Sequence, residues 1–341
     1  MRIGLVGYQG SGKSTLFRWL TGVEPDPAAV HQGQTAICHV PDPRIEELAR
    51  IYEPKKITRA GIELVDIPGL ARTHEDSAAK LVLLRESGAL VIVVAAFGDA
   101  DPRADLESFR DDLLIADLDI ITRRLERLAE QVKKPRPNRD DLLAEQTALQ
   151  QLQQALENEG NIDGVELSAH QQKQLKAFQL FSQKPRFVVI NVDDSVTDLE
   201  SFEALVPEGT PGRAVSLQLQ VELEGLSEEE RASFCEEMGV QAADRAALIR
   251  DLMDASGQML FFTAGPKEVR SWLVPKGTTA VEAAGNIHTD LAQGFIRAEV
   301  MKVDDLVRLG SERAVKAEGL MRQEPRDYVL ADGDVVLIRH N

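Results

Sequence analysis

Gly7-Tyr8-Gln9-Gly10-Ser11-Gly12-Lys13-Ser14 is the stretch that decides the fold. An apolar run, Ile3 to Val6, leads into it, and a helical segment, Leu16 to Leu20, leads out. The spacing is G-x-x-x-x-G-K-[ST] between a strand and a helix, the pattern of a phosphate-binding loop. Gly7, Gly10 and Gly12 allow backbone N–H groups to turn inward onto anionic oxygens at the positive end of the following helix. Lys13 supplies a mobile charge for β- and γ-phosphates, and the Ser14 hydroxyl suits Mg²⁺.

Working outward, Gly22 to Gln34 is small-residue-rich and irregular, where a first switch loop would lie. Thr35 is the nearest candidate there for Mg²⁺ and the γ-phosphate, and equally an ordinary strand-edge threonine. Ala36 to Val40 reads as a strand and Arg44 to Tyr52 as a helix. Gly61 to Asp66 is a strand ending in an acid, and Asp66-Ile67-Pro68-Gly69 fits D-x-x-G. This second motif lies about 50 residues beyond the loop, the spacing of many switch-type nucleotide hydrolases. Asp66 can hold a Mg²⁺-bound water, and Gly69 can offer its N–H to the γ-phosphate. Leu70 follows where many GTPases place a water-orienting glutamine, and an aliphatic side chain cannot polarise water. A phosphate-loop kinase would share the first motif but not this one.

Leu90 to Phe97 is almost wholly apolar, as expected of a central parallel strand buried on both faces. Leu114, Leu118, Ile121, Leu125, Leu128 and Val132 then recur in steps of four and three, the stripe of a packed helix. A second stripe runs through Leu142, Leu149, Leu152 and Leu156, and a third helix is expected over Ala169 to Phe181. Residues 105–183 therefore read as a helical insertion with its hairpin tip at Lys133 to Asp141. Arg186 to Ile190 returns to the sheet and ends at Asn191-Val192-Asp193-Asp194, where a base-reading loop belongs. Guanine-specific enzymes use N-K-x-D there; Val192 replaces the lysine, while Asp194 keeps the aspartate position. Ala214 to Leu217 reads as one more strand. From Gln258 the texture is that of a small α+β domain, with Thr278 as a helix cap and a hairpin of Tyr328–Leu330 with Val335–Ile338 across Asp332-Gly333-Asp334.

The 341 residues are 43% hydrophobic, and no apolar run approaches the roughly 20 residues of a membrane span. A first strand at Arg2-Ile3 is expected to leave no room for a signal peptide, and Cys38 and Cys235 read as reduced thiols of a cytoplasmic protein. The net charge of −17 argues against a generic polyanion binder and against DNA. Arg123, Arg124, Arg127, Lys133, Lys134, Arg136 and Arg139 run against that bias near the hairpin tip, as a solvated helix end or an RNA-facing patch would.

GKSTLF, VPDPRIEELA, ELVDIPGL, IADLD, INVDD, SLQLQVELEGL and, above all, FFTAGPKEVRSWLVPKGTTAVEAAGNIHTDLAQGFIRAEV with DGDV resemble the YchF/Obg-like ATPases of the Obg-related translation-factor group. The resemblance runs over essentially the whole chain. It implies an α/β P-loop NTPase domain with a Ras-like, mainly parallel sheet (1–104 and 185–257), an inserted α-helical coiled-coil domain (105–184) and a C-terminal β-grasp TGS domain (258–341). It implies Mg²⁺-dependent hydrolysis of ATP in preference to GTP; the chain is expected to work as a monomer in the cytoplasm. The partner it implies is the ribosome, its large subunit in particular, or another RNA-protein complex, with no membrane partner. Carried over by residue, Gly10, Ser11, Gly12, Lys13, Ser14 and Thr15 hold the phosphates, Ser14 the Mg²⁺, and Asn191 and Val192 the base. Four departures stand out. Gly10 replaces the usual asparagine, a position linked in related proteins to potassium; Asp194 replaces the usual glutamate; and both switch loops are shortened. No histidine follows Phe97-Gly98-Asp99, where the family's proposed catalytic histidine lies; His74 is the nearest substitute. A GTPase, or a nucleotide-binding scaffold with little hydrolysis, is the alternative reading.

Overall fold

The computed structural model describes residues 1–26, 33–69, 83–134, 137–162 and 164–341. In chain order its elements begin β1 (Arg2–Val6), α1 (Lys13–Thr21), β2 (Gln34–His39), α2 (Pro43–Tyr52), β3 (Ile57–Thr58), β4 (Gly61–Asp66) and β5 (Ala89–Ala96). Next come α3 (Pro102–Gln131), α4 (Arg139–Glu159), α5 (Ala169–Leu175), β6 (Arg186–Val192), α6 (Glu200–Glu203), β7 (Gly212–Val215), α7 (Leu217–Leu223), α8 (Glu228–Met238) and α9 (Arg245–Ala255). The chain closes with β8 (Gln258–Ala264), β9 (Val269–Pro275), α10 (Ala280–Ile287), α11 (Thr289–Gln293), β10 (Phe295–Lys302), α12 (Val303–Leu309), α13 (Glu312–Ala317), β11 (Arg322–Glu324) and β12 (Asp334–His340). Two compact units result, 1–35 with 65–243, and 36–64 with 244–341. None of the described helices is long and apolar enough to cross a membrane.

In the first unit the sheet runs from the carboxyl end of β4 (Val65 and Asp66) through β1-β5-β6-β7, with β1, β5, β6 and β7 parallel. The chain passes from β1 to one neighbour and returns on the other side, which opens a ligand crevice at the carboxyl ends of the strands. β5 is buried from Ala89 to Ala95, as a central parallel strand covered on both faces must be. The 30-residue helix α3 serves two cores. Its first half places Leu106, Phe109, Leu113 and Ala116 against Ile92, Val94, Val188 and Ile190 of the sheet. Its second half places Ile121 and Leu128 against Leu142, Leu149, Leu152 and Leu156 of α4. Between these helices Arg124 grips the buried Glu145 through its Nε and Nη2, at 2.6 and 2.7 Å.

Two expectations for this unit change. The third helix stops at Leu175 instead of Phe181 and gives way to single 3₁₀ turns at Lys176–Phe178 and Phe181–Gln183. Gln179 turns left-handed (φ 50°), and the N–H groups of Phe181 and Ser182 both donate to the buried Asp117 of α3 at 2.8 Å, so the helical ladder cannot continue. The last strand ends at Val215, because the Leu217 N–H is taken by the Asn191 side chain (3.1 Å) and Ser216 becomes the residue before α7.

The second unit is a mixed sheet of order β11-β10-β12-β8-β9-β3, with β3 parallel to β9 and β12 parallel to β8. Its core packs Ala280, Ala283 and Ala284 of α10 onto Phe261, Val274, Val300 and Val336. Residues 36–64 join this unit through β3 and through Arg44. The Arg44 guanidinium bonds Asp42, reaches Asp332 at 2.7 Å and lies over the Phe262 ring. The cap of α10 is Thr279 rather than Thr278: Thr279 forms a capping box with Glu282, while the Thr278 hydroxyl donates to Pro275 O. The terminal hairpin does not form either. β12 is flanked by β10 and β8, so neither edge is open to Tyr328–Leu330, where Val329 makes only an isolated bridge to Thr279.

Candidate functional site

The loop after β1 takes its shape from two glycines. Gly7 has φ 148°, and a Cβ on it would stand 2.2 Å from Val93 O on β5. Gly12 has φ 100°, and a Cβ would stand 2.3 Å from Asn191 Nδ2. Any larger residue would force the loop away from the sheet. Gly12 also caps α1 with no side-chain hydrogen bond, and the first turn of α1 holds no acid of its own. Lys13, the first residue of α1, is 6% exposed, and its Nζ donates to Tyr8 O at 2.8 Å.

The D-x-x-G segment lies against this loop. Ser14 Oγ donates to Asp66 Oδ2 at 2.5 Å. Burial raises the Asp66 carboxyl above its ordinary range, and the Ser14 bond and the Lys13 charge pull it back only in part. A Cβ on Gly69 would stand 3.0 Å from Gln9 Cα and 3.1 Å from Lys13 Nζ, so Gly69 is pressed onto the loop. A cleft of about 170 Å³ is bordered by Gly10, Lys13, Ser14, Asp66 and Gly69, with Pro25, Asp26 and Gln34 closing its outer side. Gln34 staples that outer loop, accepting from Asp26 N at 2.7 Å and donating to Glu24 O at 3.0 Å. Thr35 is exposed on β2 and does not border the cleft; Gln34 stands there instead.

A second cleft, about 340 Å³, adjoins the first at Gly10 and is bordered by Gly12, Thr15, Phe97, Asn191 to Asp194 and Gln218. Its side chains are largely committed to the protein. Asn191 is buried; its Nδ2 donates to Ser11 O at 3.2 Å and its Oδ1 accepts from Leu217 N at 3.1 Å. Val192 is 2% exposed and belongs to the sheet core, so its main chain is what it can offer the cleft. Asp193 accepts from Ser195 Oγ and N, which holds its carboxyl below the usual range. Asp194 Oδ1 accepts from Leu219 N at 3.2 Å and from the Ser216 hydroxyl.

Thus Gly10, Ser11, Gly12, Lys13, Ser14, Thr15, Asp66, Gly69, Asn191 and Val192 come together at the carboxyl ends of β1, β4 and β6, and Thr35 does not join them. Leu70, His74 and Arg136 lie outside the described residues. Sequence reading missed Ser216, which anchors Asp194. A serine at the end of a parallel strand was the available signal, since ligand sites gather at such ends. It missed Gln34 and Tyr8 as well; neither sits in a pattern that marks a role.

The chain matches two family models: residues 2–135 the one described as "50S ribosome-binding GTPase", and residues 259–341 YchF-GTPase_C, described as "Protein of unknown function (DUF933)". It is 34% identical to "Ribosome-binding ATPase YchF" of Bacillus subtilis, over 99% of this chain and 98% of that one. It is 32% identical to the protein of the same name in Escherichia coli O157:H7, over 98% of both chains, and 32% identical to "Obg-like ATPase 1" of Oryza sativa subsp. japonica, over all of this chain and 92% of that one. Among solved structures, the Schizosaccharomyces pombe YchF GTPase superposes with a TM-score of 0.85 at 27% identity, covering 99% of this chain and 97% of that one. A GTP binding protein from Pyrococcus horikoshii OT3 shares the fold with a TM-score of 0.63 at 20% identity, each chain covered completely.

Proposed function

Since this chain belongs to the YchF family of Obg-like ATPases, we propose that it binds ATP across the two adjoining clefts, hydrolyses it with Mg²⁺, and acts on ribosomes in the cytoplasm as a monomer. The observation that carries this reading is the Ser14–Asp66 hydrogen bond beside Lys13 and Gly69, which joins two motifs far apart in sequence. The oxygens of Ser14 and Asp66 are hard donors of the kind Mg²⁺ takes, and they already touch. Mg²⁺ held there would neutralise charge on the β- and γ-phosphates. The loop amides from Gly10 to Thr15 would bind phosphate oxygens, Lys13 would stabilise the charge that builds on the transferred group, and the Gly69 N–H would orient it. Asn191 holds the base-side wall in place, and the main chain at Val192 would border the base.

The engagement of Asp194 Oδ1 by both Ser216 and Leu219 favours adenine, because it leaves only Oδ2 uncommitted for the two N–H groups of a guanine edge. Guanine is the second reading; the words GTPase and GTP binding protein in the names of similar proteins favour it. The inserted hairpin (105–184) and the TGS domain (258–341) are the parts offered to the ribosome, its large subunit in particular. Of the basic residues near the hairpin tip, Lys133 pairs with Glu130, Arg123 with Asp119, and Arg124 with Glu145. Arg139 donates its Nε to Val132 O at 3.1 Å and Lys134 lies within the electrostatic reach of Glu130; reversing Lys134 and Arg139 in a ribosome co-sedimentation assay tests the tip, and unchanged binding removes it from this reading.

The deciding experiment titrates ADP and GDP side by side and measures single-turnover ATP hydrolysis in the same samples. Tighter ADP binding and a rate well above that of Lys13→Ala are expected. Tighter GDP binding overturns the adenine assignment, and a rate no better than Lys13→Ala leaves a nucleotide-binding scaffold.

A further inference from the structure

The phosphate loop is fastened to the helical arm through Tyr8. This residue stands within the loop, 6% exposed, and its two ends point in different directions. Its carbonyl oxygen receives Lys13 Nζ at 2.8 Å and Ser11 N at 3.3 Å. Its hydroxyl donates to Asp112 Oδ2 of α3 at 3.2 Å, across 104 residues of chain. Its ring meets Phe109 of the same helix edge-on, with centroids 6.3 Å apart and planes at 85°. Such a pair adds orientation to the apolar contact. The groups of α3 that face the hydroxyl are Asp112, Asp105 and Ser108; burial and the two carboxylates push the phenol up to about 12, so it stays a donor at every physiological pH.

The helix that Tyr8 grips is itself tied to the sheet. Leu106, Phe109, Leu113 and Ala116 are packed in the sheet core, and one and a half turns beyond Asp112 the buried Asp117 holds the returning chain at Phe181 and Ser182. Beyond that point α3 runs out into the arm, packed on α4. Arm, Tyr8 and Lys13 are thus joined by the Tyr8–Asp112 hydrogen bond, the Tyr8–Phe109 ring contact and the lysine–carbonyl bond. The neutral alternative is plain core packing, which the phenyl ring alone would satisfy. The hydroxyl and its carboxylate partner add direction that packing does not need.

We propose that Tyr8 is a positioning residue: its hydroxyl, held by Asp112, sets the carbonyl on which Lys13 rests, so that the root of the helical arm and the phosphate-binding lysine move together. A partner that loads the arm is then felt at the nucleotide, and nucleotide is felt along α3, since coupling between two sites is reciprocal. The inference rests on the nucleotide-binding reading given above.

The test uses the full chain and a fluorescent ADP analogue, whose binding does not depend on turnover. Tyr8→Phe keeps the ring and removes only the hydroxyl; Asp112→Ala removes the acceptor; Asp112→Asn keeps an acceptor oxygen. Tyr8→Phe and Asp112→Ala are each expected to weaken ADP binding by about three- to tenfold, with the double variant no worse than either single one. Asp112→Asn is expected to restore most of the affinity. In hydrogen exchange, ADP should protect α3 beyond Asp112 in the natural protein, and Tyr8→Phe should lose that protection while keeping protection of the loop. A structural role alone would lower the melting temperature without uncoupling the two regions. Natural-sequence protein that binds no ADP or GDP overturns the nucleotide reading and this one together. ADP binding that is equal in Tyr8→Phe, losses that add in the double variant, or arm protection that survives Tyr8→Phe overturns the positioning role alone.

Discussion

The two clefts share Gly10 and little else. On the phosphate side the side chains of Lys13, Ser14 and Asp66 border the space, with the close-packed Gly69 beside them, and the partners of Lys13 and Ser14 are loop and carboxylate oxygens at the same rim. On the base side Asn191, Asp193 and Asp194 spend their hydrogen bonds on the protein's own backbone and hydroxyls, and Val192 is core. One side is built to meet charge; the other is built to hold a shape. A charged ligand is recognised by aimed donors, whereas a flat base can be recognised by the walls of a slot.

That contrast can be broken at its joint. Gly12→Ala puts a methyl group where Asn191 Nδ2 stands, at a φ that L residues avoid. It should damage both clefts and weaken ADP binding by about a hundredfold or more, because the loop amides and the base-side wall shift together. Isothermal titration reads the loss, and affinity within a few-fold of the natural protein would show the two sides to be independent.

Asn191→Ala separates shape from charge. It leaves Ser11 O and Leu217 N without their partner, two buried groups that together should cost about 2–4 kcal/mol of stability. Thermal unfolding should fall by several degrees and ADP affinity should drop with it. Undiminished stability with lost affinity would instead make Asn191 a direct ligand of the base.

The phosphate side can be sharpened by pH. Asp66 must be ionised to serve Mg²⁺, and burial has raised its carboxyl. The Mg²⁺-dependent gain in ADP affinity should therefore fade on acidification earlier than an ordinary carboxylate would require, and Asp66→Asn should lack both the gain and its pH dependence. For folding the sign is opposite. A carboxyl raised in the folded state favours the acid form, so its contribution to stability shrinks as pH rises through the raised value. A Mg²⁺ effect that persists in Asp66→Asn would remove Asp66 from the metal site.

The smallest effect is expected at Asp194. Asp194→Asn keeps an acceptor for Ser216 and Leu219, so ADP affinity should stay within about twofold. GDP affinity should be equally unmoved; a tenfold fall in GDP binding alone would make Asp194 a guanine reader after all.

Read residue by residue, the phosphate loop, D-x-x-G, the buried β5 and the two leucine stripes were legible in the chain. Each depends on local periodicity or on a short pattern whose chemistry needs those residue types at that spacing. Ligand contact at the loop is made mostly by backbone and by Lys13 and Ser14, which lie within one stretch, so sequence alone could locate it. What tertiary structure decided was long-range pairing. Only packing could pair β3 with β9 of the second sheet and bring Arg44 to Asp332, deny Tyr328–Leu330 a strand partner, and turn Asp194 toward Ser216. Only packing could set Tyr8 between Lys13 and Asp112. A motif records what a site must be made of, but which carboxylate receives which donor depends on distances between elements far apart in the chain, and no local pattern contains them.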